Sequence, residues 1–188
     1  MFKTLRSVFD WRLVLGFLII AFPKILIFVT AWLHAHTQPA FLVPVWSDEL
    51  SLWHEVFSFS QKGFNFGYYT INEAVPKYLS FGTHGFGTVS VYAFFARHFG
   101  WKTFSIVSAN VFFLQMAYLS FLILTLPTAK QYIYIILFSI SFTPLILFFS
   151  TSMSELLNYS VLIVYFGLHC HYLNRALGSR YYQRLEPH

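Results

Sequence analysis

Four long apolar runs, residues 13–33, 104–126, 132–149 and 156–172, constrain this chain more than any other feature of it. Each reaches the roughly 17 to 25 residues that a helix needs to cross the hydrocarbon core of a bilayer. A water-soluble domain must keep its surface largely polar, and a chain that is 57% hydrophobic, 22% aromatic and only 10% charged lacks the residues to do so. The sequence therefore predicts an all-α integral membrane protein with about four transmembrane helices. The first run is too long for the apolar core of a cleaved signal peptide, and Lys24 follows Pro23 in its middle, so it reads as a retained anchor. Lys24 either snorkels to an interface or faces a polar cavity, the setting in which an intramembrane charge marks function.

A fifth stretch, residues 84–101, fixes the topology. Only twelve residues separate His84 from Arg97, and two of them are glycine, which suits an interfacial helix better than a span. Four spans with the amino terminus inside leave seven basic residues on the cytoplasmic side: Lys3, Arg6, Arg12, Lys130, Arg175, Arg180 and Arg184. Lys62, Lys77, Arg97 and Lys102 then lie outside. Counting a fifth span gives five inside against six outside and pushes the basic tail across the membrane, against the positive-inside rule. Both termini are thus expected in the cytoplasm. The expected organisation is one module over residues 1–175, with an outer loop at 34–103 carrying juxtamembrane helices, and a cytoplasmic tail at 176–188. The net charge of +5 comes from basic residues scattered singly near the ends of apolar runs, without the clustered face that nucleic acid requires.

An outer loop of that length needs a purpose, and its charges suggest one. Of seven acidic residues, Asp48, Glu49, Glu55 and Glu73 lie in the loop, and Glu155 falls in the turn between the third and fourth spans, which faces the same side. Five of the seven acids thus gather at one membrane surface. Loops are also simply where charge can be solvated, so the pattern alone does not distinguish a site from a wet surface. Within "SDELSLWHEVF", helical spacing places Leu50, Trp53 and Phe57 on one apolar face with Glu49 and Glu55 off it, and Ser47 is the expected N-cap. The following glycine-rich aromatic stretch turns often and carries His84 between Gly82 and Gly85, a ligand or proton donor by position. Cys170 is the one cysteine, so no intrachain disulfide forms; the neighbouring His169 and His171 point in different directions on a helix and read as interfacial histidines rather than metal ligands.

The order of these motifs resembles a known family. A first span, an outward "SDE", a glycine-rich aromatic stretch with "GTHG", a run ending "FGW" and a later "SFTPLILFFSTSMSELL" are together similar to the first half of a GT-C glycosyltransferase. That group of polytopic enzymes includes the protein mannosyltransferases and aminoarabinose transferases, and the likeness extends over nearly all of the chain. The resemblance implies a bacterial inner-membrane protein that takes a sugar from a polyprenyl-phosphate donor to an acceptor at the outer face. It maps the catalytic base onto Asp48, with Glu49 beside it, and the acid of the second outer loop onto Glu155. The family's His-Pro position falls on His84, although Gly85 follows here. The chemistry needs a carboxylate to take the acceptor hydroxyl's proton and positive charge for the departing phosphate. Lys77, Arg97 and Lys102, with Lys24 below them, are the candidate cations; a divalent cation held by Glu49, Glu155 and loop histidines is the alternative, with Glu73 a further substrate-binding candidate. The chain stops after four spans where the family continues, so the resemblance leaves three expectations open: a fragment, a half completed by other membrane subunits, or a descendant that kept the architecture and lost the chemistry. The competing expectation is a non-catalytic membrane subunit or lipid-binding scaffold derived from the same fold. A small transporter fits less well, because internal repeats and paired broken spans are absent.

Overall fold

The structure of the chain, a computed structural model, describes residues 11–33, 44, 46–63, 84–148 and 151–183. They form seven helices and, among the described residues, no strand: α1 (Trp11–Leu33), α2 (Ser47–Lys62), α3 (Gly85–Phe99), α4 (Ser105–Thr125), α5 (Ala129–Ser141), α6 (Thr143–Phe148) and α7 (Glu155–Gln183).

Side-chain contacts give the helix directions. Gln115 Nε2 of α4 donates to the Ile20 carbonyl of α1 at 3.0 Å, and Gly16 lies against Leu122 and Tyr132, so α1 runs antiparallel to α4. Tyr118 meets Ser139 at 2.8 Å, which sets α5 antiparallel to α4 as well. Gly167 packs on Phe121 and His171 Nδ1 lies 3.0 Å from the Leu124 carbonyl, so α7 runs parallel to α4. Apolar segments in chain order therefore alternate in direction. Pro23 lacks the N–H that would bond the Ile19 carbonyl, and the Gln115 contact falls on the adjacent Ile20 carbonyl.

Among the described residues two helices are long and apolar enough to cross a membrane, α4 over Ser105–Thr125 and α7 over Glu155–Ala176. The first expected span is helical, but its apolar part, Leu13–Val29, is shorter. The run at 132–149, expected as one span, is instead two helices broken at Phe142, whose ψ of 91° is extended. Pro144 cannot donate to the carbonyl one turn before it, so α5 ends and α6 begins afresh with the proline in its first turn. The last helix continues beyond the expected tail boundary to Gln183.

Two apolar clusters result. Ile19, Leu114, Tyr118, Leu122, Tyr132, Leu145 and Leu156 form the centre of a bundle built from α1, α4, α5, α6 and α7. Leu52, Val56, Val89, Tyr92, Ala93, Ile106 and Ala109 join α2 and α3 to the first turns of α4. That second cluster is an outer layer, set at the end of the bundle where α4 and α7 begin.

Candidate functional site

The face that α2 buries is the reverse of the expected one. Glu49, Leu52, Glu55 and Val56 are buried, whereas Leu50 and Trp53 are half-buried and Phe57 is exposed. The apolar spacing of Leu50, Trp53 and Phe57 is real, yet the helix turns its two glutamates inward. Ser47 is also not the N-cap: the helix begins at that residue and Trp46 precedes it. Glu49 takes over the capping role by reaching back, its Oε2 accepting from the Trp46 backbone N–H at 3.1 Å.

The second Glu49 oxygen explains the inversion. Residues 151–154 are bends before α7 whose ends bond to helical backbone while the Ser152 amide makes no backbone hydrogen bond among the described residues, and a buried amide without an acceptor costs about 1–3 kcal/mol. Oε1 of Glu49 accepts the Ser152 N–H at 2.7 Å, across 103 residues of sequence. On either side of that amide, fully buried Asn110 of α4 donates through Nδ2 to the Met153 carbonyl at 2.9 Å and the Thr151 carbonyl at 3.3 Å. Its Oδ1 accepts from the Tyr92 hydroxyl of α3, which also lies 3.5 Å from the Met153 carbonyl. Three helices, α2, α3 and α4, therefore converge on the backbone of three consecutive residues, Thr151, Ser152 and Met153. Burial first, and then the nearby Glu155 carboxylate, push the Tyr92 hydroxyl well above its usual range, against the smaller opposing effect of the Asn110 hydrogen bond. Tyr92 accordingly stays a neutral donor.

At the other end of the same layer Glu55 is completely buried. Neither of its oxygens has a hydrogen-bond donor among the described residues, and His84 Nδ1 stands 3.6 Å from Oε2, an ion-pair distance when the imidazole is protonated. His84 precedes α3, so this pair joins the start of α3 to the middle of α2. The Ser152 hydroxyl and Glu155 Oε2 are likewise buried without a partner among the described residues.

Placed on this framework, the expected site residues separate. Asp48 is exposed in the first turn of α2, directly beside Glu49. Glu155 opens α7 next to the anchored segment, where a carboxylate complements the helix dipole. Lys24 is exposed on α1, in the bundle rather than the outer layer, and Arg97 and Lys102 are exposed around the corner between α3 and α4. No ion pair joins Lys24, Arg97 or Lys102 to a carboxylate among the described residues, and no group of three metal-ligating side chains occurs among them. Glu73 and Lys77 lie outside the described residues. Glu55, Tyr92, Asn110 and Ser152 were not expected in the site. Asn110 alone carried a signal, as an amide inside an otherwise apolar run. No family model, characterised protein or solved structure matches the chain.

Proposed function

We propose that the chain is a membrane-embedded glycosyltransferase module that moves a sugar from a polyprenyl-phosphate donor to an acceptor at the outer membrane face. In this reading α1, α4, the broken pair α5–α6 and α7 cross the bilayer, and α2 and α3 lie on its outer side. The alternating helix directions support four crossings, with both termini in the cytoplasm of a bacterial inner membrane. So does the exposure of apolar side chains on α7: Val161, Leu162, Tyr165 and Phe166 are each more than half exposed, which water would penalise and lipid would not.

The observation that carries the catalytic assignment is the pairing of an exposed Asp48 with a buried, doubly anchored Glu49. A general base must reach the acceptor hydroxyl and must also be held in place. Asp48 meets the first need and Glu49, by fixing the first turn of α2 to the segment before α7, meets the second. Asp48 takes the proton as the hydroxyl attacks the anomeric carbon, and Glu49 is a positioning residue. A non-catalytic scaffold is the second reading, favoured by one fact: the glutamates of α2 are buried among structural partners, and Arg97 and Lys102 make no ion pair with a carboxylate among the described residues.

Asp48→Asn separates the two. Sugar transfer in native membranes should fall by about 10²- to 10⁴-fold while thermal stability holds. Unchanged transfer removes Asp48 from the chemistry. Topology is tested independently with single cysteines in a Cys170→Ser background: one at Ser60 should react with an impermeant thiol reagent in intact cells, and one at Ser179 should not. Labelling at Ser179 excludes the four-span arrangement.

A further inference from the structure

Helix α3 is apolar on two opposite sides. Its inner side buries Val89, Tyr92, Ala93 and Ala96 against α2 and α4, at the i, i+3, i+4, i+7 spacing of a single packed stripe. The opposite side carries Val91, 38% exposed, and Phe94, 66% exposed, and Phe99 at the helix end is 68% exposed. A helix with a second apolar side needs a second apolar environment. With 15 residues, α3 is only about 22 Å long, too short to cross a bilayer.

What covers that side is indicated by the charges that follow it. Arg97, His98 and Lys102 are exposed at the corner between α3 and α4, where Gly100, at a φ of 80°, turns the chain. Among the described residues no carboxylate forms an ion pair with these cations: Glu49 and Glu55 are buried, Glu155 lies close enough to Tyr92 to raise its hydroxyl's pKa, and Asp48 is exposed in the first turn of α2. The corner is thus a cationic rim beside an apolar surface. Behind it stands an aromatic stack in which Trp53 and Trp101 lie 5.0 Å apart, Phe57 lies 5.3 Å from Trp101, and Trp53 Nε1 donates to the Thr103 carbonyl at 3.0 Å. Amphipathic tryptophans, exposed phenylalanines and cations without an ion-pair partner among the described residues match the three layers of a lipid interface: headgroup boundary, upper acyl chains and phosphate.

We propose that the outward side of α3 is a docking surface for anionic phospholipid, with Val91, Phe94 and Phe99 among the upper acyl chains and Arg97 and Lys102 on the headgroup phosphates. The proposal rests on the membrane reading of α4 and α7 and is independent of the transferase assignment. A lipid bound there would hold the outer layer, and Asp48 with it, at the depth of the headgroups. It would also make the layer's position depend on lipid charge.

The test uses the full chain, Cys170→Ser, in nanodiscs of phosphatidylcholine with or without phosphatidylglycerol. A nitroxide at Val91→Cys should be relaxed by oxygen and protected from a water-soluble nickel chelate, whereas one at Asp48→Cys should show the reverse. Native mass spectrometry should find phosphatidylglycerol retained over phosphatidylcholine. Arg97→Gln and Lys102→Gln should each reduce that preference about fivefold, and the double variant roughly 25-fold. Inorganic phosphate should not displace the lipid. Nickel access at position 91 equal to that at position 48 overturns the proposal by placing α3 in water. Protection from both reagents overturns it by revealing a protein partner, and displacement by inorganic phosphate overturns it by revealing a phosphate pocket. Loss of transfer in Asp48→Asn leaves all of these outcomes unchanged, so the two readings fail separately.

Discussion

About three turns of α4 separate Asn110 from Phe121, and over that length its contact with α7 changes character. At Phe121 the contact is close packing: a β-carbon on Gly167 would lie 3.2 Å from the Phe121 ring and 3.3 Å from its Cα, so the two helices would have to give by a few tenths of an ångström. At Asn110 it is polar, an amide holding two carbonyls of the segment that precedes α7. In the bundle α4 and α7 meet mainly by close packing, with His171 on the Leu124 carbonyl as a polar contact, whereas the segment before α7 is tied to the outer layer by hydrogen bonds to its backbone. The two regions should therefore respond oppositely to the same kind of change. An apolar residue of similar size is tolerated where packing alone matters and is costly where a polar group has been left behind.

The largest expected effect breaks the polar side of this contrast. Asn110→Leu keeps the γ-branched outline but removes the amide, leaving the Thr151 carbonyl without its partner and the Tyr92 hydroxyl and Met153 carbonyl with only their 3.5 Å contact, and should cost about 2 to 4 kcal/mol. Thermal unfolding of the purified protein measures the loss, and limited proteolysis should find new cleavage at 151–154 while the bundle stays intact. Equal stability in Asn110→Leu would mean that packing alone holds the layer. Next in size, Gly167→Leu attacks the steric side and should cost about 1 to 3 kcal/mol by forcing α7 from α4. Its signature is loss of hydrogen-exchange protection along both helices, with the 151–154 segment retained; protection unchanged along α4 and α7 would deny the close approach. The smallest effect has the opposite sign. Leu126, 79% exposed, ends α4 with a φ of 46°, a left-handed conformation that disfavours a side chain. Leu126→Gly should relieve that strain and raise stability by up to about 1 kcal/mol, offset in part by the entropy glycine adds to the unfolded chain. A drop in melting temperature in this variant would show that Leu126 packs against something instead.

The same contrast explains what the sequence revealed. Helix positions in the bundle were legible because run length and apolarity are local properties: the runs at 104–126 and 156–172 fall on α4 and α7. The division at Phe142 was written in Pro144 but hidden by an apolar run that continues through it. The outer layer was less legible because its organising bonds are long-range. Glu49 and Asp48 stood out as an acid pair, yet nothing local says that Glu49 faces inward. That orientation is set by the Ser152 amide, 103 positions away. The assumption that charged residues of an amphipathic helix face water fails here because a buried backbone donor needed an acceptor more than the glutamate needed solvent. Glu55 lies at the edge of the same buried arc, about 120° round the helix from Glu49, and Tyr92 carried no sequence signal because tyrosines are frequent throughout the chain.

The central claim is that an inward-facing carboxylate of α2 ties the outer layer to the bundle. Hydrogen exchange at the Ser152 amide, compared between the parent protein and Glu49→Gln, tests it most directly. Gln cannot accept from both the Trp46 and Ser152 amides with two carboxylate oxygens as Glu49 does. The account predicts a protected Ser152 amide in the parent, faster exchange at that amide and along α2 in the variant, and unchanged protection in α4 and α7 beyond Phe121. Exchange at Ser152 that is equally slow in both proteins, or already fast in the parent, would contradict it.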